Sequence, residues 1–265
     1  MPVPGTVPKR HAVHRVAVGT LHIGCVGALL LASCTAPPEA TARAPHPSVL
    51  TPPVAQPEVL TPQGILRTMA ETYANCHTYR DSGRATLKLE AGAPGPVIFT
   101  PFQTAFERPD RFRFGAEMSA PLVKLGWIVW RRGPAVRSWS RHDGFEKPES
   151  LSSALGALAG VSWSTSITVP KLLVADGVPE SGLTQMTDVV RLGDEEVNGS
   201  CCYCLRGREL TSTAKVWIDQ TSHLLLRVVR ELNAGSLHGE VTITYEPVID
   251  EAIPADLLAF GSPEG

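Results

Sequence analysis

The sequence has no excess of either charge: 24 Lys and Arg stand against 26 Asp and Glu, a formal net charge of −2. No long basic cluster follows Arg15, so a nucleic-acid-binding role is set aside. Aromatic residues are few, at 6%. The chain also lacks G-x-S-x-G, H-E-x-x-H and a glycine-rich phosphate loop, the patterns that place a nucleophile, a catalytic zinc or a nucleotide. His142-Asp143-Gly144 and Gly193-Asp194-Glu195-Glu196 contain catalytic residue types but fall in no such pattern. Asp143-Gly144 and Asn198-Gly199 read as hairpin turns. The chain therefore reads as a non-enzyme with no cofactor, an unrecognised hydrolase being the third choice of function. Its one long apolar run, residues 16–32, is short of the roughly 20 residues that span a bilayer and carries Thr20, His22 and three glycines.

What surrounds that run is informative. Lys9, Arg10 and Arg15 precede it and small residues end it, the layout of a secretory signal. The closing Leu31-Ala32-Ser33-Cys34 resembles a bacterial lipobox, which implies cleavage before Cys34 and acylation of that residue. Residues 1–33 are then the signal peptide. Several acyl chains at about 0.8 kcal/mol per buried methylene make a stable membrane anchor. Thr35 after the cysteine, where Asp would retain the protein in the inner membrane, implies the outer membrane, facing the periplasm. Residues 34–61 are rich in proline and poor in large apolar groups. Such a chain cannot offset its ordering entropy and forms a semi-extended tether, reaching roughly 85 Å at about 3.1 Å per residue.

Beyond it, residues 62–265 suffice for one sizeable core. Thr61-Pro62 supplies a cap and a first helical residue, and Ile65, Leu66, Met69, Tyr73 and Cys76 recur at helical spacing. After Asp81-Ser82-Gly83 the pattern alternates, with Ala85, Leu87 and Leu89 on one face. Strand-like runs follow at 97–106, 111–116, 122–131 and 136–140. Short helices are expected at 151–158 and 169–173, then strands at 189–192, 201–205, 214–218, 224–231 and 241–245, and a turn at 254–258. About ten short strands with helices on one side predict an α+β fold: a curved antiparallel sheet whose concave face the helices cover. If 122–131 is a straight strand, Trp127 and Trp130 fall on opposite faces.

Four stretches in this order resemble the LolA/LolB-like lipoprotein carriers. They are YANCHTYRDSGRATLKLE, ERPDRFRF (Glu107 to Phe114), VWIDQTSHLLLRV (Val216 to Val228) and TITYEPVIDEAIPADLLAF. The resemblance implies a half-barrel with an apolar cavity, closed by helices, that shelters acyl chains. Arg108 matches the carrier arginine that helps hold the lid shut, and Phe112 matches a cavity phenylalanine. The alternative for Arg108 is an ordinary surface strand arginine, and for Phe112 ordinary core. Phe112, Phe114, Trp127, Leu155 and Leu172 are the candidates for lining the cavity. The function implied is a lipid-anchored envelope protein that binds an acyl lipid or lipoprotein, in sorting or lipid transport. The alternative is a protein-interaction or sensor module of envelope-stress regulation, with a protein partner. The apolar loop by which the anchored receptor of that family inserts its cargo has only weak counterparts here, Leu122-Val123 and Gly126-Trp127-Ile128.

The domain carries Cys76, Cys201, Cys202 and Cys204, which have no counterpart in the carrier. In an exported chain disulfides are the default. Alternation puts Cys202 and Cys204 on one face, with Cys201, Tyr203 and Leu205 on the other. A Cys76–Cys202 bridge would fasten helix to sheet, contributing about 4 kcal/mol in the chain-entropy model. A soft-metal site and free buried thiols are the alternatives. The missing second C-x-x-C pair argues against metal.

Overall fold

The computed structural model describes residues 60–91, 93–120, 123–174, 182–209, 212–234 and 237–261. The signal, Cys34, almost the whole tether and Leu122 lie outside the described residues, as does the side chain of Val123. The domain opens with α1 (Pro62–Asn75), where Thr61 Oγ1 accepts from Gly64 N at 3.1 Å and Pro62 takes the first turn. Six strands follow: β1 (Thr78–Ala91), β2 (Ala93–Glu107), β3 (Arg111–Ala120), β4 (Val123–Arg132), β5 (Ala135–Ser140) and β6 (Gly144–Glu146). Three short helices come next, α2 (Leu151–Ala157), α3 (Thr165–Thr168) and α4 (Pro170–Leu173). Then come β7 (Thr187–Val197), β8 (Ser200–Glu209), β9 (Ser212–Asp219), β10 (Leu225–Ala234) and β11 (Leu237–Ile249), with a closing 3-10 turn at Ala255–Leu258.

All eleven strands form one antiparallel sheet, ordered β6-β5-β4-β3-β2-β1-β11-β10-β9-β8-β7. It is two meanders joined through β1 and β11, curved and left unclosed, with helices on one face. The fold is the expected α+β half-barrel architecture. The register assigns each residue to a face. Tyr79, Ala85 and Leu87 of β1 sit beside Phe106, Thr100 and Ile98 of β2, and Phe106 sits beside Phe112 of β3. This face and the inner sides of α1, α2 and α4 share one buried cluster, to which Ile65, Met69, Phe114, Leu155, Leu173 and Ile243 belong. Burying each large side chain stabilises by about 1.5–3 kcal/mol.

The outer face carries two smaller clusters. Ile128, Trp130 and Trp139 form one; Val197, Cys202, Cys204 and Trp217 form the other. Trp127 and Trp130 do lie on opposite faces, because Trp127 pairs with Ala116 and Trp130 with Arg113. The C-terminal tail returns along the outer face. Trp130 Nε1 donates to the Ala259 carbonyl at 2.9 Å, and Phe260 packs 4.6 Å from the Trp130 ring.

Three expectations are corrected. Asp81-Ser82-Gly83 lies inside β1 and does not precede it. Asp81 is 7% exposed on the helix-covered face, where its carboxylate accepts from Tyr79 OH and from Thr104 N, each at 2.7 Å. Residues of turn type are thus held in strand by buried hydrogen bonds. Arg108-Pro109 is not in a strand either: it forms the turn between β2 and β3, where Glu107 pairs with Arg111 and the Arg108–Pro109 bond is cis. The third correction is the bridge. Cys76 belongs to the cluster under the helices and Cys202 to the outer one, so the sheet separates them, and Cys76, Cys201, Cys202 and Cys204 are all free thiols. Both expected hairpin turns are present, with Asn198 and Gly199 at φ 52° and 84° and Gly144 at φ 75°.

This core makes two expected outcomes measurable. A Cβ at Gly83 would overlap the Phe102 ring and the Thr244 carbonyl. Gly83→Ala is expected to lower the unfolding free energy by about 2 kcal/mol in urea denaturation, with no change in the denaturant slope. Burial, only partly offset by its hydrogen bonds, raises the Asp81 carboxyl from 3.8 to about 6. The folded state then holds a proton that the unfolded state has lost, so this group favours folding below about pH 4 and loses that effect as pH rises through about 6. The stability of the wild type relative to Asp81→Asn should fall across that window and level off above it.

Candidate functional site

The helix-covered side depends on a junction where three segments meet. The last carbonyls of α1 have no partner within the helix. Arg108, projecting from the β2–β3 turn, supplies one. Its Nε donates to the Cys76 carbonyl at 2.7 Å, and its Nη2 donates to the Tyr73 carbonyl at 3.2 Å and to that of Ala74. The same Nη2 reaches the Leu173 carbonyl at the end of α4, at 3.4 Å. The guanidinium also lies 5.0 Å from the Phe106 ring centroid. A cation at two helix C-termini is favoured by their dipoles as well as by hydrogen bonding. Arg108 therefore ties α1 and α4 to the sheet, which an ordinary surface arginine would not do.

Of the residues expected to line a cavity, Phe112, Phe114, Leu155 and Leu172 come together in the buried cluster, with Arg108 at its helical end. Trp127 shares their face but is half-buried and outside that cluster. A recess of about 430 Å³ opens beside them between α2, α4 and the β4–β5 hairpin, lined by Val136, Leu151, Leu155, Pro170 and Val174 among others. Its rim carries Arg131, Glu149 and Lys171, an arrangement suited to an apolar chain with polar groups at the mouth. A second recess, about 680 Å³, lies on the outer face and is more polar, with Arg84, Gln103, Arg113, Glu117, Trp139 and Arg141. Burial lowers the pKa of Arg113, a shift that Asp256 in the returning tail partly offsets.

Sequence reasoning missed a polar seam inside the apolar cluster. Tyr73, Tyr79, Asp81 and Tyr245 lie on the helix-covered face, where Tyr73 OH accepts from Leu225 N at 3.1 Å. Burial raises the pKa of all three phenols. Farther along, Arg230 pairs with Glu209 at 2.7 Å, their side chains only 12% and 15% exposed. Alternation held the signal: position 81 shares a face with 79, 85 and 87, and position 230 with Val228 and Leu232.

The three buried thiols are chemically quiet. Burial raises Cys76, Cys202 and Cys204 to about 11, which leaves almost no thiolate at neutral pH. Among the described residues no group of three or more His, Cys, Asp or Glu is placed to hold a metal ion. Glu195 is engaged, accepting from Trp217 Nε1 at 2.8 Å, and Asp143 accepts from Ser140 Oγ at 2.8 Å within its turn.

No protein-family model and no curated protein matches the chain in sequence. Solved structures match in fold. The lipoprotein LppX of Mycobacterium tuberculosis is 16% identical over 73% of this chain and 97% of its own, with a TM-score of 0.43. MucB, solved in complex with MucA(peri), is 13% identical over 76% of this chain and 60% of its own, with a TM-score of 0.41. A LolA superfamily protein from Nitrosomonas europaea is 11% identical over 76% of this chain and 98% of its own, with a TM-score of 0.32. The chain is similar in architecture to LolA superfamily and lipoprotein-sorting proteins, with little sequence in common.

Proposed function

We propose that this chain is an envelope lipoprotein, anchored through Cys34, whose half-barrel shelters an acyl chain between sheet and helices. The observation that carries this reading is the Arg108 junction. One side chain holds the ends of α1 and α4 against the sheet, directly over an aromatic and aliphatic interior. Helices α3 and α4 have four residues each, so they can shift as short units that keep their internal hydrogen bonds. Loosening the arginine lets the helices part, and an acyl chain entering by the recess beside α2 takes the place of their side chains against the sheet. Binding is non-covalent, driven by about 25 cal/mol per Å² of apolar surface buried. The proline-rich tether lets the cup work at a distance from an outer-membrane anchor.

A second reading, interaction with an envelope protein, is favoured by the outer recess. It is the larger of the two and is lined by arginines, acids and Trp139, which suits a polar protein surface better than a hydrocarbon.

Native mass spectrometry of the chain carrying Cys34→Ser, so that no acyl group is attached covalently, should reveal co-purified lipid. Protein that carries none and, once delipidated, takes up no acyl probe would refute the lipid reading. Arg108→Leu is expected to release a bound fluorescent acyl probe about tenfold faster, as loss of a charge-assisted hydrogen bond implies. Unchanged release would remove Arg108 from the mechanism.

A further inference from the structure

The polar seam includes donors that no described residue satisfies. Arg230 Nε donates to Glu209 Oε2 at 2.7 Å, and its Nη2 to Glu209 Oε1 at 3.3 Å and to Thr168 Oγ1 at 3.2 Å. Its Nη1 is buried and has no acceptor among the described residues. Tyr245, 1% exposed, has a buried hydroxyl that makes no well-formed hydrogen bond and has only a lesser contact with Thr168. Thr168 of α3 stands between the two groups, with its own hydroxyl donated to the Ser164 carbonyl at 2.8 Å. All of these groups lie under the helices, and Arg230's neighbours across its two ladders are Ala214 and Val241. A buried donor without an acceptor is costly, so this arrangement favours whatever brings an acceptor.

The charges nearby narrow the choice of acceptor. Glu209 already balances Arg230. Asp81 also acts on the Tyr245 phenol, and both carboxylates oppose that phenol's ionisation. A carboxylate or phosphate headgroup would enter with no cation left to balance it, and burying an unbalanced charge is costly. A neutral carbonyl has two lone pairs and no charge. Resting on the reading of the interior as an acyl site, we infer that Tyr245 and Arg230 Nη1 form a subsite for the carbonyl of a neutral, ester-linked acyl lipid. The ligand class is then an esterified lipid, not a free fatty acid.

The test uses the full chain with Cys34→Ser and displacement of the apolar dye N-phenyl-1-naphthylamine. Three competitors share a chain length: methyl oleate, oleate and octadecene. The ester is expected to displace the dye at several-fold lower concentration than the other two. Tyr245→Phe should weaken methyl oleate about fivefold while leaving octadecene unchanged, and should unfold no earlier than wild type, since it removes a hydroxyl that makes no well-formed hydrogen bond. As a measure that needs no variant, the carbonyl stretch of bound ¹³C-labelled methyl oleate should shift to lower wavenumber than in hydrocarbon solvent. Dye that never binds refutes the acyl-site reading itself. Dye displaced equally by all three, with Tyr245→Phe silent and the carbonyl unshifted, overturns this inference alone and leaves the seam bonded to structural water.

Discussion

The structure depends on the ladder between β1 and β11. Each meander pairs only with itself except here, where eleven positions from Tyr79 to Leu89 match Ile249 to Gly239. Without this seam there would be two smaller sheets, each with a long open edge and half of an apolar face. At its middle the chain has no spare room. Gly83 faces Tyr245 across the ladder, and Phe102 fills the space that a side chain at 83 would need, meeting Tyr245 edge-on at 5.4 Å. The outermost strands are protected differently. β6 has three residues, and β7 has two register shifts and carries Asp194, Glu195 and Glu196, features that discourage pairing with another chain.

The helices are held less securely than the strands. They attach to the sheet through apolar side chains and a few side-chain hydrogen bonds, those of Arg108, Tyr73 and Arg230, while every strand is held by a backbone ladder. A fold of this kind combines a laddered curved wall with a cover held by side chains. That asymmetry suits a container.

Much of this architecture is legible in the sequence. Helical spacing from Ile65 to Tyr73, the Thr61 cap and the alternation of Ala85 and Leu87 each identify an element and a face, because each element buries one side. Phe112 and Phe114 are legible for the same reason, and so is the placing of Cys202 with Cys204 on one face. Local patterns mislead where long-range contacts prevail. Asp81-Ser82-Gly83 has turn chemistry, yet Tyr79 and Thr104 hold it in a strand. The expected thiol bridge is absent because alternation says which residues share a face but not which face of the sheet meets α1. Alternation puts Arg230 and Tyr245 on the inner face with Val228 and Ile243, but only the helices above show that polar groups there are buried.

The closing strand of the domain lies at its centre, and this dictates an order of events in folding. His77 N donates to Asp250 Oδ1 at 2.6 Å across 173 residues of sequence. The hairpins on either side are local, but the ladder that unites them closes a loop of nearly the whole domain, a topology associated with slow folding. A chain emerging N-terminus first, from a ribosome or a translocation pore, can pair β1 with β2 early. It cannot cover the other edge of β1 until β11 has emerged, so the single sheet is completed only when its last residues are free.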